Sequence, residues 1–119
     1  MKLSNQLKAR LDSAKALIFD MDGTVVDSMP AHFAAWSVVA EKYDLNFSKE
    51  RFYQLGGVPT YETLEILSAE SNRSIDIPEA KALKERVYRS QMDNIGIIKP
   101  TIDIIKHYFG KVPLAIATG

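Results

Sequence analysis

One short stretch constrains this chain most: Ala16-Leu17-Ile18-Phe19-Asp20-Met21-Asp22-Gly23-Thr24, an apolar run that delivers two carboxylates into a glycine turn. A strand buried on both faces of a parallel sheet reads as an unbroken apolar run, so the stretch predicts a parallel strand ending near Phe19. In open α/β sheets the reacting groups gather beyond the carboxyl ends of the strands, which is where Asp20 and Asp22 stand. Extended backbone continuing past Phe19 points both side chains the same way, and Gly23 permits the angles that turn the chain aside. One carboxylate can then attack while its neighbour handles protons, an arrangement suited to phosphoryl transfer. An Asp-Gly pair after a hydrophobic run also marks an ordinary turn. A calcium loop of the EF-hand type is excluded: started at Asp20, it puts Val25 where the sharp-turn glycine belongs and Ala31 where the bidentate glutamate belongs.

A second apolar run, Val112-Pro113-Leu114-Ala115-Ile116-Ala117, ends in Thr118-Gly119. Thr118 reads either as the plain end of a strand or as a hydroxyl donor placed where charge is handled. Helices are expected between the two runs. Phe33, Trp36, Val39, Ala40 and Tyr43 recur at spacings of three and four and give residues 31–43 one apolar face. Ser48 opens a shorter helix, and Pro59 or Thr60 opens another through Leu64 and Leu67. Pro78, at a helix first turn, begins a fourth that continues to about Asn94, and Thr101 to Phe109 forms a helix closed by Gly110. Ser71 to Ile77 reads as a loop, and a short helix is expected within residues 1–15.

Asp20-Met21-Asp22-Gly23-Thr24 resembles the first signature of the haloacid dehalogenase superfamily, and Thr118-Gly119 resembles the second. The helical insert is similar to the small cap of the branch that includes the β-phosphoglucomutase-like sugar phosphatases. Asp27 and Ser28 continue that branch's turn, His32, Phe33 and Trp36 match its first cap helix, and Gly56-Gly57-Val58-Pro59-Thr60 matches its substrate-facing loop. The resemblance implies an α/β fold: a Rossmannoid core, here its first two parallel strands in residues 1–28 and 96–119, with an all-helical cap over residues 29–95. It implies Asp20 as the nucleophile that becomes an aspartyl-phosphate and Asp22 as the acid/base. Thr118 and Gly119 would bind the phosphoryl oxygens. Mg²⁺ would lie between Asp20 and the phosphate, with Asp22 as a further ligand through its backbone carbonyl. Thr24, His32, Gly56, Gly57 and Thr60 would serve the cap and substrate. His32 reads equally as a surface or hinge histidine, Gly56-Gly57 as a helix end, and Phe33, Trp36 and Phe47 as core. Thr60 stands where the mutase members carry a phosphate-binding arginine, and Gly56 where they carry a lysine. Holding a bisphosphate by its distal phosphate suits a guanidinium, so hydrolysis of a small sugar monophosphate is expected over a phosphomutase reaction, closest to the fructose-1-phosphatase-like members.

In the family order a lysine and then an acidic motif follow the second signature. The resemblance therefore implies an amino-terminal part of such an enzyme, with a non-catalytic remnant or a partner-dependent half enzyme as the alternative. Two strands leave open sheet edges, so contact with a carboxyl-terminal half, or self-association, is expected. With 15 basic and 15 acidic side chains, no net field favours nucleic acid or an anionic membrane. No apolar run spans a bilayer, no cysteine offers a disulfide framework, and a cytoplasmic location is expected.

Overall fold

The computed structural model describes residues 3–118. In chain order the elements are α1 (Asn5–Ser13), β1 (Leu17–Asp20), β2 (Val26–Asp27), α2 (Met29–Tyr43), α3 (Lys49–Gln54), α4 (Thr60–Glu70), α5 (Ile77–Ser90), a 3-10 turn (Met92–Asn94), β3 (Gly96–Ile97), α6 (Lys99–Tyr108) and β4 (Leu114–Ala117). They form two compact units: residues up to Ser28 together with those from Gly96 onward, and Met29–Ile95. No helix among the described residues is long and apolar enough to cross a membrane.

In the first unit β1 and β4 pair in parallel, Leu17 with Leu114, Ile18 with Ala115, Phe19 with Ile116 and Asp20 with Ala117. Alternation puts Leu17, Phe19, Leu114 and Ile116 on one face and Ile18 with Ala115 on the other. The expectation of a strand buried on both faces is not met, since Ile18 is 74% exposed and Ile116 53%. A sheet of two strands does not cover both of its own faces. The two expected parallel strands are thus β1 and β4, and a second, antiparallel pair adds to them. β2 and β3 form an antiparallel pair, Val26 with Ile97 and Asp27 with Gly96, extended by the Ile98 amide donating to the Val25 carbonyl at 3.0 Å. This ladder ties the segment that leaves the unit at Ser28 to the one that returns at Gly96. Such two-residue strands carry no periodicity for a sequence to display. Helix α1 starts at its cap, Ser4, whose hydroxyl accepts the Leu7 amide at 3.2 Å. The Asp12 carboxylate, one residue before its end, accepts the Tyr108 hydroxyl of α6 at 2.6 Å.

The second unit is helical. Its core gathers Trp36 and Val39 of α2, Phe52 of α3, Leu64 and Leu67 of α4, and Ala80 and Leu83 of α5 around Leu45. Phe33 and Phe47 pack against that cluster partly buried, their rings 5.7 Å apart. Ser48 caps α3 by accepting the Arg51 amide, and Asp76 caps α5 by accepting the Glu79 amide. Arg51 also pairs with Glu70, linking α3 to α4. Helix α5 stops at Ser90, short of the expected Asn94. Beyond it the Gln91 amide bonds to the Tyr88 carbonyl and the Asn94 amide to the Gln91 carbonyl, the tighter spacing of a 3-10 turn.

Candidate active site

The first signature is built where β1 gives way to a turn. Asp20 is the last strand residue, level with Ala117 on the neighbouring parallel strand, so Thr118 follows one residue beyond that level. Adjacent strands run about 4.8 Å apart, and the register therefore brings the ends of both apolar runs to one sheet edge. Asp20 is exposed. Its Oδ1 accepts the Met21 amide at 3.0 Å, and its Oδ2 faces the Thr24 hydroxyl at 3.4 Å, a long bond. The carboxylate is thus oriented by its own turn while staying open to the surface.

Strand β1 ends at Asp20, and Asp22 follows in the turn beyond it. The Met21 carbonyl accepts the amides of Thr24, Val25 and Val26 at 3.2, 2.9 and 3.1 Å. Gly23 turns with φ of 75°, in the left-handed region that glycine adopts at no steric cost. Asp22 meets Val26 in an isolated bridge, and its Oδ1 accepts the hydroxyl of Ser28 at 2.5 Å. Ser28 is fully buried. The turn after β1 and the short strand β2 thus lead to Ser28, which holds Asp22 by its side chain.

The remaining candidates are in the helical unit. His32, at the end of the first turn of α2, has its Nδ1 3.1 Å from Lys84 Nζ and its ring stacked on Tyr88. Gly56 and Gly57 form the turn between α3 and α4; Gly57 has φ of 84°, and the Gly56 amide donates to the Tyr53 carbonyl at 3.2 Å. Thr60 opens α4. Gly119 lies outside the described residues. The structure thus groups Asp20, Asp22, Thr24 and Thr118 in one unit and His32, Gly56, Gly57 and Thr60 in the other. Two polar residues escaped the sequence reading as functional: Ser28, as the donor to Asp22, and Lys84. The signal for Lys84 was its place four after Ala80 and three before Val87, on the apolar face of α5.

For Mg²⁺ the donors are right in kind, since hard cations take carboxylate and carbonyl oxygens. They are short in number. Among the described residues no group of three or more His, Cys, Asp or Glu side chains is arranged to hold a metal.

The sequence matches the profile of haloacid dehalogenase-like hydrolases over residues 17–119. It is 33% identical over 105 residues to the fructose-1-phosphate phosphatase YqaB of Escherichia coli (strain K12), covering 87% of this chain and 55% of that protein. It is 30% identical over 108 residues to the phosphorylated carbohydrates phosphatase of Thermotoga maritima, covering 87% and 50%. The fold is similar to a crystal structure of a hydrolase from Pseudomonas syringae, with a TM-score of 0.73 and 25% identity over 88% of this chain and 50% of that one. The α/β core, the helical insert and the matched profile together define a haloacid dehalogenase-like protein. This chain belongs to the haloacid dehalogenase-like hydrolase family. It spans about half the length of these relatives.

Proposed function

We propose that this chain carries the nucleophile and the acid/base of a cytoplasmic, Mg²⁺-dependent phosphatase acting on a small sugar phosphate. The observation that supports the reading most is the pairing of Asp20 with Ala117, which sets an open carboxylate beside the strand end that leads into Thr118. The names of the two phosphatase relatives support the substrate class.

In this reading an Asp20 carboxylate oxygen attacks phosphorus and the bond from phosphorus to the sugar oxygen breaks, leaving an aspartyl-phosphate. Asp22 gives the departing sugar oxygen its proton. It then takes a proton from the water that attacks the intermediate, and inorganic phosphate and free Asp20 result. Ser28 keeps Asp22 in place through both halves. Thr118 donates to the phosphoryl oxygens in each transition state. Bound Mg²⁺ would neutralise charge between Asp20 and the substrate, held by the Asp20 carboxylate, the Asp22 carbonyl and further oxygens supplied from outside the described residues. The exposed Ile18 and Ile116 support the related reading that more polypeptide, a carboxyl-terminal half or a second copy, covers this sheet.

The test is steady-state hydrolysis of a panel of sugar monophosphates by a protein carrying this chain within the complete family pattern, compared with its Asp20→Asn variant. The amide is nearly isosteric but is no anionic nucleophile, so turnover should fall to background with the fold retained. Near-normal activity in that variant, with deamidation excluded by mass, would remove Asp20 from the role.

A further inference from the structure

Lys84 is a buried charge that the proposed reaction does not use. It is 8% exposed on α5, and its Nζ lies 3.1 Å from His32 Nδ1 on α2. The same Nζ stands over the Trp36 ring at 5.7 Å and over the Tyr88 ring at 5.3 Å from the centroids. The His32 ring stacks on Tyr88, centroids 4.1 Å apart and planes 11° from parallel. Two proton arrangements satisfy such a nitrogen–nitrogen contact. An ammonium can donate to a bare Nδ1, or a neutral amine can accept from a protonated one. The aromatic faces decide between them, because a ring quadrupole attracts a cation within about 6 Å of its centroid and offers a neutral amine no comparable gain. Stacking on Tyr88 also sets the plane of the imidazole, so that its Nδ1 lone pair stays aimed at Lys84.

We propose that Lys84 is a positioning residue that holds His32 as a neutral imidazole with its proton on Nε2. An ammonium has three donors and no acceptor, so Nδ1 must accept, and a neutral imidazole carries its single proton on the other nitrogen. Which nitrogen is protonated is set by the hydrogen bond the other one makes. His32 is thereby a hydrogen-bond donor at Nε2, suited to a carboxylate or phosphoryl oxygen, and has no lone pair there to act as a base. Any general-base role for the cap histidine is removed, which leaves proton handling to carboxylates. The inference goes beyond the phosphatase reading, since it depends on the geometry within the helical unit and its test needs no turnover.

Long-range proton–nitrogen correlation spectra of the ¹⁵N-labelled 119-residue chain at neutral pH read the tautomer directly, with His107→Gln used to assign the two histidines. The expected His32 pattern is a protonated Nε2 and a bare Nδ1. A protonated Nδ1 in the unmodified chain, alone or in a doubly protonated ring, overturns the proposal whatever the variants do. In Lys84→Met the His32 signals should move to a mixture of tautomers or to imidazolium. In Lys84→Arg, which keeps a cation and its donors, they should return to the original pattern. Circular dichroism and unchanged His107 signals report that each variant is folded. An unaltered His32 pattern in folded Lys84→Met would show that Lys84 does not set the tautomer.

Discussion

Ser28 Oγ donates to Asp22 Oδ1 across 2.5 Å, joining the residue that follows β2 to the second carboxylate of the signature. The bond explains how Asp22 is held in the turn beyond β1. The serine is fully buried, so its hydroxyl has no easy exchange with water. Removing the hydroxyl should cost stability beyond the small volume lost with the oxygen. Ser28→Ala is expected to destabilise the chain by about 1.5–3 kcal/mol, the usual worth of a hydrogen bond to a charged group. Urea denaturation of the two proteins measures it, and an unchanged midpoint would mean the bond contributes nothing.

Asp22→Asn should separate the two halves of the proposed reaction. An amide neither protonates a leaving oxygen nor takes a proton from water, so turnover of a sugar phosphate should fall by about a hundred- to ten-thousandfold. A substrate whose leaving group needs no proton should recover the first step selectively, seen as a burst of leaving group followed by slow release of phosphate. Equal losses for good and poor leaving groups would count against Asp22 as the acid.

What the sequence displays, and what it hides, follows from the range of each interaction. Caps and helix faces are local: Ser48 accepting the Arg51 amide and the burial of Trp36 with Val39 were both legible, because each is fixed within a turn or two of its own chain. Asp20 and Thr118 were legible as the residues at two strand ends. That Asp20 pairs level with Ala117 is a tertiary fact that neither run carries alone. The end of α5 was hidden because Leu83, Val87 and Met92 keep apolar residues coming while the backbone has already tightened into a 3-10 turn. Lys84 was hidden by its charge, since a lysine on an apolar face is ordinarily read as a snorkelling surface residue.

Asp12 makes the docking of α6 against α1 depend on pH at both extremes. Hydrogen bonds from Lys8, 2.6 Å away, and then from Tyr108 hold the Asp12 carboxyl below its ordinary 3.8. The bond to Asp12 pushes the Tyr108 phenol above its ordinary 10.0. A lowered carboxyl adds stability that is present above about pH 4 and lost as pH falls through the folded value. A raised phenol adds stability that is present below about pH 10 and lost as pH rises through the folded value. Tyr108→Phe should therefore remove the alkaline loss and shrink the acid one, leaving the share due to Lys8. Melting temperatures followed from neutral pH to well below 4, and from neutral pH to above 10, test this. Parallel curves for the two proteins would show that the contact is not formed in solution.

The 119-residue chain by itself should bind Mg²⁺ weakly and hydrolyse sugar phosphates negligibly. Mg²⁺ demands near-octahedral oxygen coordination and gives up its waters reluctantly, so sites that bind it well supply carboxylates in number or share it with a phosphate. Here the Asp20 carboxylate and the Asp22 carbonyl are the oxygens at the strand end, and the described residues contain no cluster of three or more candidate ligands. Attack by one anion on another also needs a neutralising charge, which a hydroxyl donor at Thr118 does not provide. Calorimetric titration with Mg²⁺ should show no saturable heat at micromolar concentrations of the cation. Hydrolysis should match that of Asp20→Asn purified in parallel, which exposes contaminating phosphatases. Robust turnover that disappears in Asp20→Asn would mean that the missing oxygens and cation come from another copy of this same chain, and its dependence on protein concentration would then be steeper than first order.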